Sequence, residues 1–151
     1  MKKIAFILSG VIVVGLALFF IVNTPEKTTF DELLQTKLDP SDAINEISIS
    51  SQSEDKVATI TNRQDIENFI QKASDMDLES TDDPPNIQYV LRVKTYQEAD
   101  VAIAVGKERI DLWQSKSTNH SSDETSGIYQ IKGENSLLEV LETTDFGWQE
   151  P

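Results

Sequence analysis

Ile4 to Val22 is a run of nineteen residues without a charge, broken only by Ser9, Gly10 and Gly15, and nothing else in the chain is apolar enough to enclose it. As a helix it spans about 28 Å, close to the roughly 30 Å hydrocarbon core of a bilayer. The apolar part of a secretory signal is usually about 7–15 residues long and ends at a small-x-small cleavage site. Here Gly15 and Ala17 would release a chain beginning Leu18-Phe19-Phe20, and a cut after Thr24 would set Pro25 beside the scissile bond. A lipid-modified signal needs a cysteine, and the chain has none. The run therefore reads as a retained single-pass anchor that places residues 4–22 in the cytoplasmic membrane. Lys2 and Lys3 precede it and Asn23-Thr24-Pro25-Glu26 follow it. The positive-inside rule then keeps residues 1–3 cytoplasmic and sends the remainder outside.

That remainder suits one domain. It carries 11 of the 13 basic residues and all 26 acidic ones, a net charge of −15. Such a charge argues against nucleic acid, whose phosphates need clustered Lys and Arg. It also argues against a domain lying flat on anionic lipid. An acidic surface keeps an exported domain soluble and monomeric. Without cysteine there is no disulfide framework and no zinc–thiolate site, which is compatible with a Gram-positive type of cell.

Residues 23–42 read as a linker and short helix, and 43–151 as an extracytoplasmic α+β domain. Thr29-Phe30-Asp31-Glu32 fits a capping box, after which Phe30, Leu33 and Leu34 line one helix face. Ile47 and Ile49 alternate with serines, a polar loop SSQSEDK follows, and Val57 to Thr61 resumes as a strand. TNRQDIENFIQKAS opens with Thr61 or Asn62 as N-cap and sets Ile66, Phe69, Ile70 and Ala73 on one helical stripe. That stripe fits packing on a sheet better than a partner groove.

LESTDDPPN reads as a loop, and Ile87 to Trp113 as three antiparallel strands. A two-residue turn at Gly106-Lys107 would pair Ile103 with Ile110 and Val101 with Leu112, all on one face. Leu91 and Val93 reach that face if the preceding loop has an odd number of residues, three being favoured. The other face then carries Arg92, Lys94, Arg109 and Asp111. KSTNHSSDETSG reads as a polar loop, Gly127 to Lys132 as a last strand, and Ser136-Leu137-Leu138-Glu139 as a capping box opening a closing helix. The expected fold is α+β, an antiparallel sheet of five or six strands with two or three helices on one face.

Candidate chemistry is thin. Asp75, Asp77, Glu79, Asp82 and Asp83 make an acidic stretch. Counted from Asp75 as a calcium loop, however, the sixth position is Ser80 and the twelfth Asn86, where Gly and Glu are needed. His120, the only histidine, can be written into a triad with Ser121 or Ser122 and Asp123, but sequence neighbours rarely converge in that way. Trp113, Trp148, Tyr96 and Tyr129 could make a binding platform, although such residues more often close a small core. No catalytic, cofactor-binding or metal-ligating residue is assigned.

Ile60-Thr61-Asn62 with Ile66, Tyr89-Val90-Leu91-Arg92-Val93 and Gly127-Ile128-Tyr129 stand in an order that resembles the membrane-tethered extracytoplasmic domains common in Bacillus-like bacteria. The resemblance covers most of residues 44–142. Many members of that group are lipoproteins, and here the missing lipobox cysteine leaves tethering to the anchor. The resemblance implies no activity and no site residues. The sequence therefore points to an anchored extracytoplasmic binding or interaction domain without catalysis, with an envelope protein as its expected partner. The alternatives are a small cell-envelope enzyme or inhibitor, or a weak divalent-cation binder.

Overall fold

The computed structural model describes residues 25–38, 41–97, 99–115 and 127–151. The anchor expected at 4–22, the 1–3 stub and the His120 triad all lie outside those residues. Among the described residues no helix is long and apolar enough to cross a membrane.

The chain from Pro25 onward is α+β. Its elements run β1 (Lys27–Thr29), α1 (Phe30–Lys37), β2 (Ile44–Ser51), β3 (Lys56–Ile60), α2 (Arg63–Ala73), β4 (Asp77–Ser80), β5 (Tyr89–Thr95), β6 (Asp100–Val105), β7 (Arg109–Ser115), β8 (Gly127–Lys132) and α3 (Ser136–Thr143). The strands form one antiparallel sheet in the order β1-β4-β8-β7-β6-β5-β2-β3. Eight strands replace the expected five or six. The two additional ones come from stretches read as linker and loop. β4 holds a single apolar residue, Leu78, among Asp77, Glu79 and Ser80, so it shows no alternation. Backbone pairing to β1 on one side and β8 on the other holds it in place.

The Thr29 capping box forms in both directions, with the Glu32 amide donating to Thr29 Oγ1 and the Thr29 amide to the Glu32 carboxylate. It starts α1 so that Phe30, Leu33 and Leu34 are buried. These residues belong to the core of the domain, not to a connection leading into it. On α2 the N-cap is Asn62, whose side chain accepts from the amides of Gln64 and Asp65. On α3 the cap falls one residue earlier than expected, on Asn135. Its Oδ1 accepts from Leu138 while its Nδ2 donates to the carbonyls of Gly106 and Lys107, tying the helix to the β6–β7 turn.

The β5–β6 ladder pairs Leu91 with Ile103 and Val93 with Val101, and five residues separate its last pair, Lys94 and Asp100, an odd number as expected where three were favoured. The β6–β7 ladder is displaced by two from the expected register: Ile103 faces Leu112, Val105 faces Ile110, and four residues turn the chain. A shift of two leaves every side chain on its face, so the core prediction survives the error. Gly106 is there for space. A Cβ on it would lie 2.6 Å from the Asn86 carbonyl oxygen, so it admits the neighbouring chain closely where a hairpin glycine had been expected. The inward residues of the sheet and the buried faces of all three helices form one hydrophobic cluster, including Phe30, Ile47, Phe69, Leu91, Ile103 and Leu141.

Candidate functional site

The helix α2 has two unlike flanks. On the side of α3 the C-terminal tail folds back. Gln149 and Val57 exchange backbone hydrogen bonds, and Phe146 stands edge-on to both Phe69 and Trp148. Trp148 in turn lies against Tyr89. On the side of α1 an open groove of about 600 Å³ runs between the two helices to the start of β2. Its floor is apolar, with Leu34, Leu38 and Ile66 buried and Ile44 and Ile70 half-buried. Tyr96 stands at its rim, 73 % exposed.

A β-bulge shapes one end of the groove. Ile44 pairs with Thr95 and Glu46 with Lys94, leaving Asn45 as the extra residue in β2. Such an insertion bends the strand and re-aims side chains. Here it brings the neighbours Ile44 and Asn45 both into the groove lining, where strict alternation would separate them. Asn45 Oδ1 is buried and has no hydrogen-bond partner among the described residues.

The rim is acidic. Among the described residues Asp31, Asp42 and Glu67 line it against a single cation, Arg63. The Arg63 Nε donates to Glu67 at 2.8 Å, and this hydrogen bond, with the attraction of the charges, pushes the guanidinium pKa up. Asp42 accepts from the Gln97 amide through both oxygens, and Asp31 accepts from Gln35. Through the antiparallel order β1 and β2 run in the same sense. The chain enters β1 beside Glu79 and Ser80 of β4 and leaves it toward Asp31, whose amide donates to the Ser74 carbonyl at the groove.

The residues singled out in the sequence are dispersed. Asp77 and Glu79 lie on β4, where Glu79 is paired with Lys132 at 3.4 Å, while Asp83 meets Arg109 at 3.3 Å. No three acidic or histidine side chains among the described residues gather in a way that would hold a metal ion. Tyr129 is buried, Trp148 belongs to the tail cluster, Trp113 is half-buried on the far face of the sheet, and Tyr96 alone reaches the groove. The stripe on α2 divides: Ile66, Phe69 and Ala73 are buried in the core, and Ile70 is only half-buried beside the groove.

On the far face Arg92 and Lys94 are exposed as expected, but Arg109 and Asp111 are half-buried. Asp111 lies opposite Ala104 and Ile128, and its Oδ1 has no partner among the described residues. Burial pushes its carboxyl pKa up, against a smaller opposing effect of the Leu112 backbone amide.

Sequence reasoning missed Asn45 and the α1 side of the groove. The signal was a break in phase: counting back from Ile49 and Ile47 the next inward position is 45, which is polar, while the isoleucine sits one place earlier. No family model matches the chain, nor does any curated protein or solved structure.

Proposed function

We propose that this chain is a membrane-anchored extracytoplasmic binding domain without catalysis, which engages a protein partner through the groove between α1 and α2. The observation that carries the reading is the groove itself, an apolar floor of about 600 Å³ under a polar rim. Pockets that bind have mostly apolar walls and a few placed polar groups. Tyr96 supports this, because an exposed aromatic at a rim supplies contact area at low entropic cost. The uncharged run at 4–22 and the lysines before it support the tether and its orientation.

The test uses the full-length chain in intact membranes. Photo-crosslinkers at Gln35, Gln71 and Tyr96 sample the groove rim, and one at Arg92 samples the opposite face. The reading expects the chain to resist alkaline extraction, the domain to be open to external protease, and the rim positions alone to capture one protein. Equal capture from Arg92 and the rim, or none from either, would count against it.

A further inference from the structure

We infer that the groove between α1 and α2 takes a cationic amphipathic peptide segment, with its apolar side on the groove floor and its positive side against the rim. This deepens the binding reading and rests on it. Two features select that chemistry. The rim carries Asp31, Asp42 and Glu67 against Arg63, which is already engaged with Glu67, so the mouth is negative within a domain that is itself strongly acidic. Complementary charge guides encounter and excludes wrong partners. The second feature is Asn45, which the bulge brings into the groove lining and whose buried Oδ1 has no hydrogen-bond partner among the described residues. A buried acceptor left unpaired is costly, and a ligand N–H that reaches it as the Asn45 side chain turns toward the groove offsets that cost on binding.

The same features exclude other occupants. A second copy would bring a net charge of −15 against its like, and anionic lipid meets the same repulsion. A cationic amphipathic segment is also the type of peptide that lies in the interface of a membrane.

The probe is a fluorescent Leu/Lys peptide patterned as an amphipathic helix, titrated against the full chain in discs of zwitterionic lipid, with empty discs as the blank. A Leu/Glu peptide of the same pattern and a scrambled Leu/Lys peptide are the comparisons. Saturable one-to-one binding of the Leu/Lys helix is expected, about tenfold or more tighter than either comparison. Ile70→Glu is expected to weaken it about tenfold although it adds negative charge. Tyr96→Ala, at an exposed position that folding does not need, is expected to weaken it about three- to tenfold. Asn45→Ala is expected to weaken it several-fold.

Unchanged or tighter binding by I70E together with unchanged binding by Y96A would mean attraction to the acidic surface at large and would overturn the inference. So would equal binding of the Leu/Glu peptide. If rim crosslinks to one protein persist in membranes while no Leu/Lys peptide binds, the binding-domain reading stands and the cationic class falls. If the peptide binds at the groove but rim positions capture nothing in membranes, the protein-partner reading fails and the groove chemistry stands.

Discussion

The two flanks of α2 are built from one amphipathic helix and finished differently. Toward α3, Phe69 meets Phe146, and Phe146 meets Trp148, so a returning tail covers the apolar surface. A depression of about 460 Å³ remains there, but Asn62, Asp65, Asn68 and Lys72 make its wall about half polar. Toward α1, Leu34, Ile44 and Ile70 line an open space that no described element fills. Residues Asp145–Gln149 close the α3 flank, and no described element does the same on the other side. A domain able to seal one side of a helix and leaving the other open has a surface available for binding, whereas the sealed side contributes stability.

The largest effect expected from this contrast is in unfolding. Phe69→Ala, which empties a site 3 % exposed in the core, is expected to cost about 3–5 kcal/mol. Its neighbour Ile70, half-buried at the open groove, is expected to cost about 1 kcal/mol when changed to Ala. Denaturant melts of the two variants measure the difference. Equal losses would mean that the groove is closed in solution, and the contrast would break.

Removing the lid comes next. Trp148→Ala, which uncouples the tail from Tyr89 and Phe146, is expected to cost about 2 kcal/mol and to raise hydrogen exchange in β3 near Val57. Binding of the Leu/Lys peptide is expected to stay unchanged in the folded variant. Were W148A to lose peptide binding while folded, the flanks would not be independent.

Two unpaired oxygens sharpen the comparison further. Asp111→Asn on the far face is expected to stabilise the fold by about 0.5–1 kcal/mol at neutral pH, with no effect on peptide binding. Because burial raises the Asp111 pKa in the folded state, this group's stabilising contribution is complete below its unfolded value. It is lost as pH rises through the folded one. The advantage of D111N is therefore expected to shrink as the pH falls from neutral into the carboxylate range. Asn45→Ala should not lower stability, because it removes a buried oxygen that has no partner among the described residues, while lowering affinity. An unfolding midpoint that drops sharply in N45A would assign that side chain to structure.

The smallest effect lies beside the bulge. Glu46 accepts from Lys94 at 2.8 Å and from Ser48, which together hold its carboxyl below the ordinary range. Its stabilisation is present above the unfolded carboxylate pKa and fades as pH falls through the folded value. Both partners are partly exposed, so Glu46→Gln is expected to cost only about 0.2–1 kcal/mol, diminishing with salt.

What could be read from the sequence follows from how much local pattern each part carries. The β5–β6–β7 meander was legible because Leu91, Val93, Val101, Ile103, Ile110 and Leu112 alternate, and a register error of two residues preserves the face. The helix starts at Thr29 and Asn62 were legible because capping is a local reaction between side chains and free amides. β1 and β4 were not, because a three-residue strand and an acidic four-residue strand exist through pairing with distant partners. The carboxylates at 75–83 invited a metal-site reading, but the strand they partly form sends Asp77 and Glu79 along a ladder. The groove needed α1 placed beside α2, which no local pattern encodes. Only the phase break at Ile44-Asn45 marked it.

The central claim is that the α1 flank of α2 is a binding surface and the α3 flank is not. Hydrogen exchange on the full chain in zwitterionic discs, with and without saturating Leu/Lys peptide, tests it most directly. The account predicts slowed exchange at Leu34–Leu38, Asp42–Asn45 and Ile66–Gln71, and no change at Asp145–Gln149. Protection centred on the tail or on the far face of the sheet, or no protection anywhere, would contradict it.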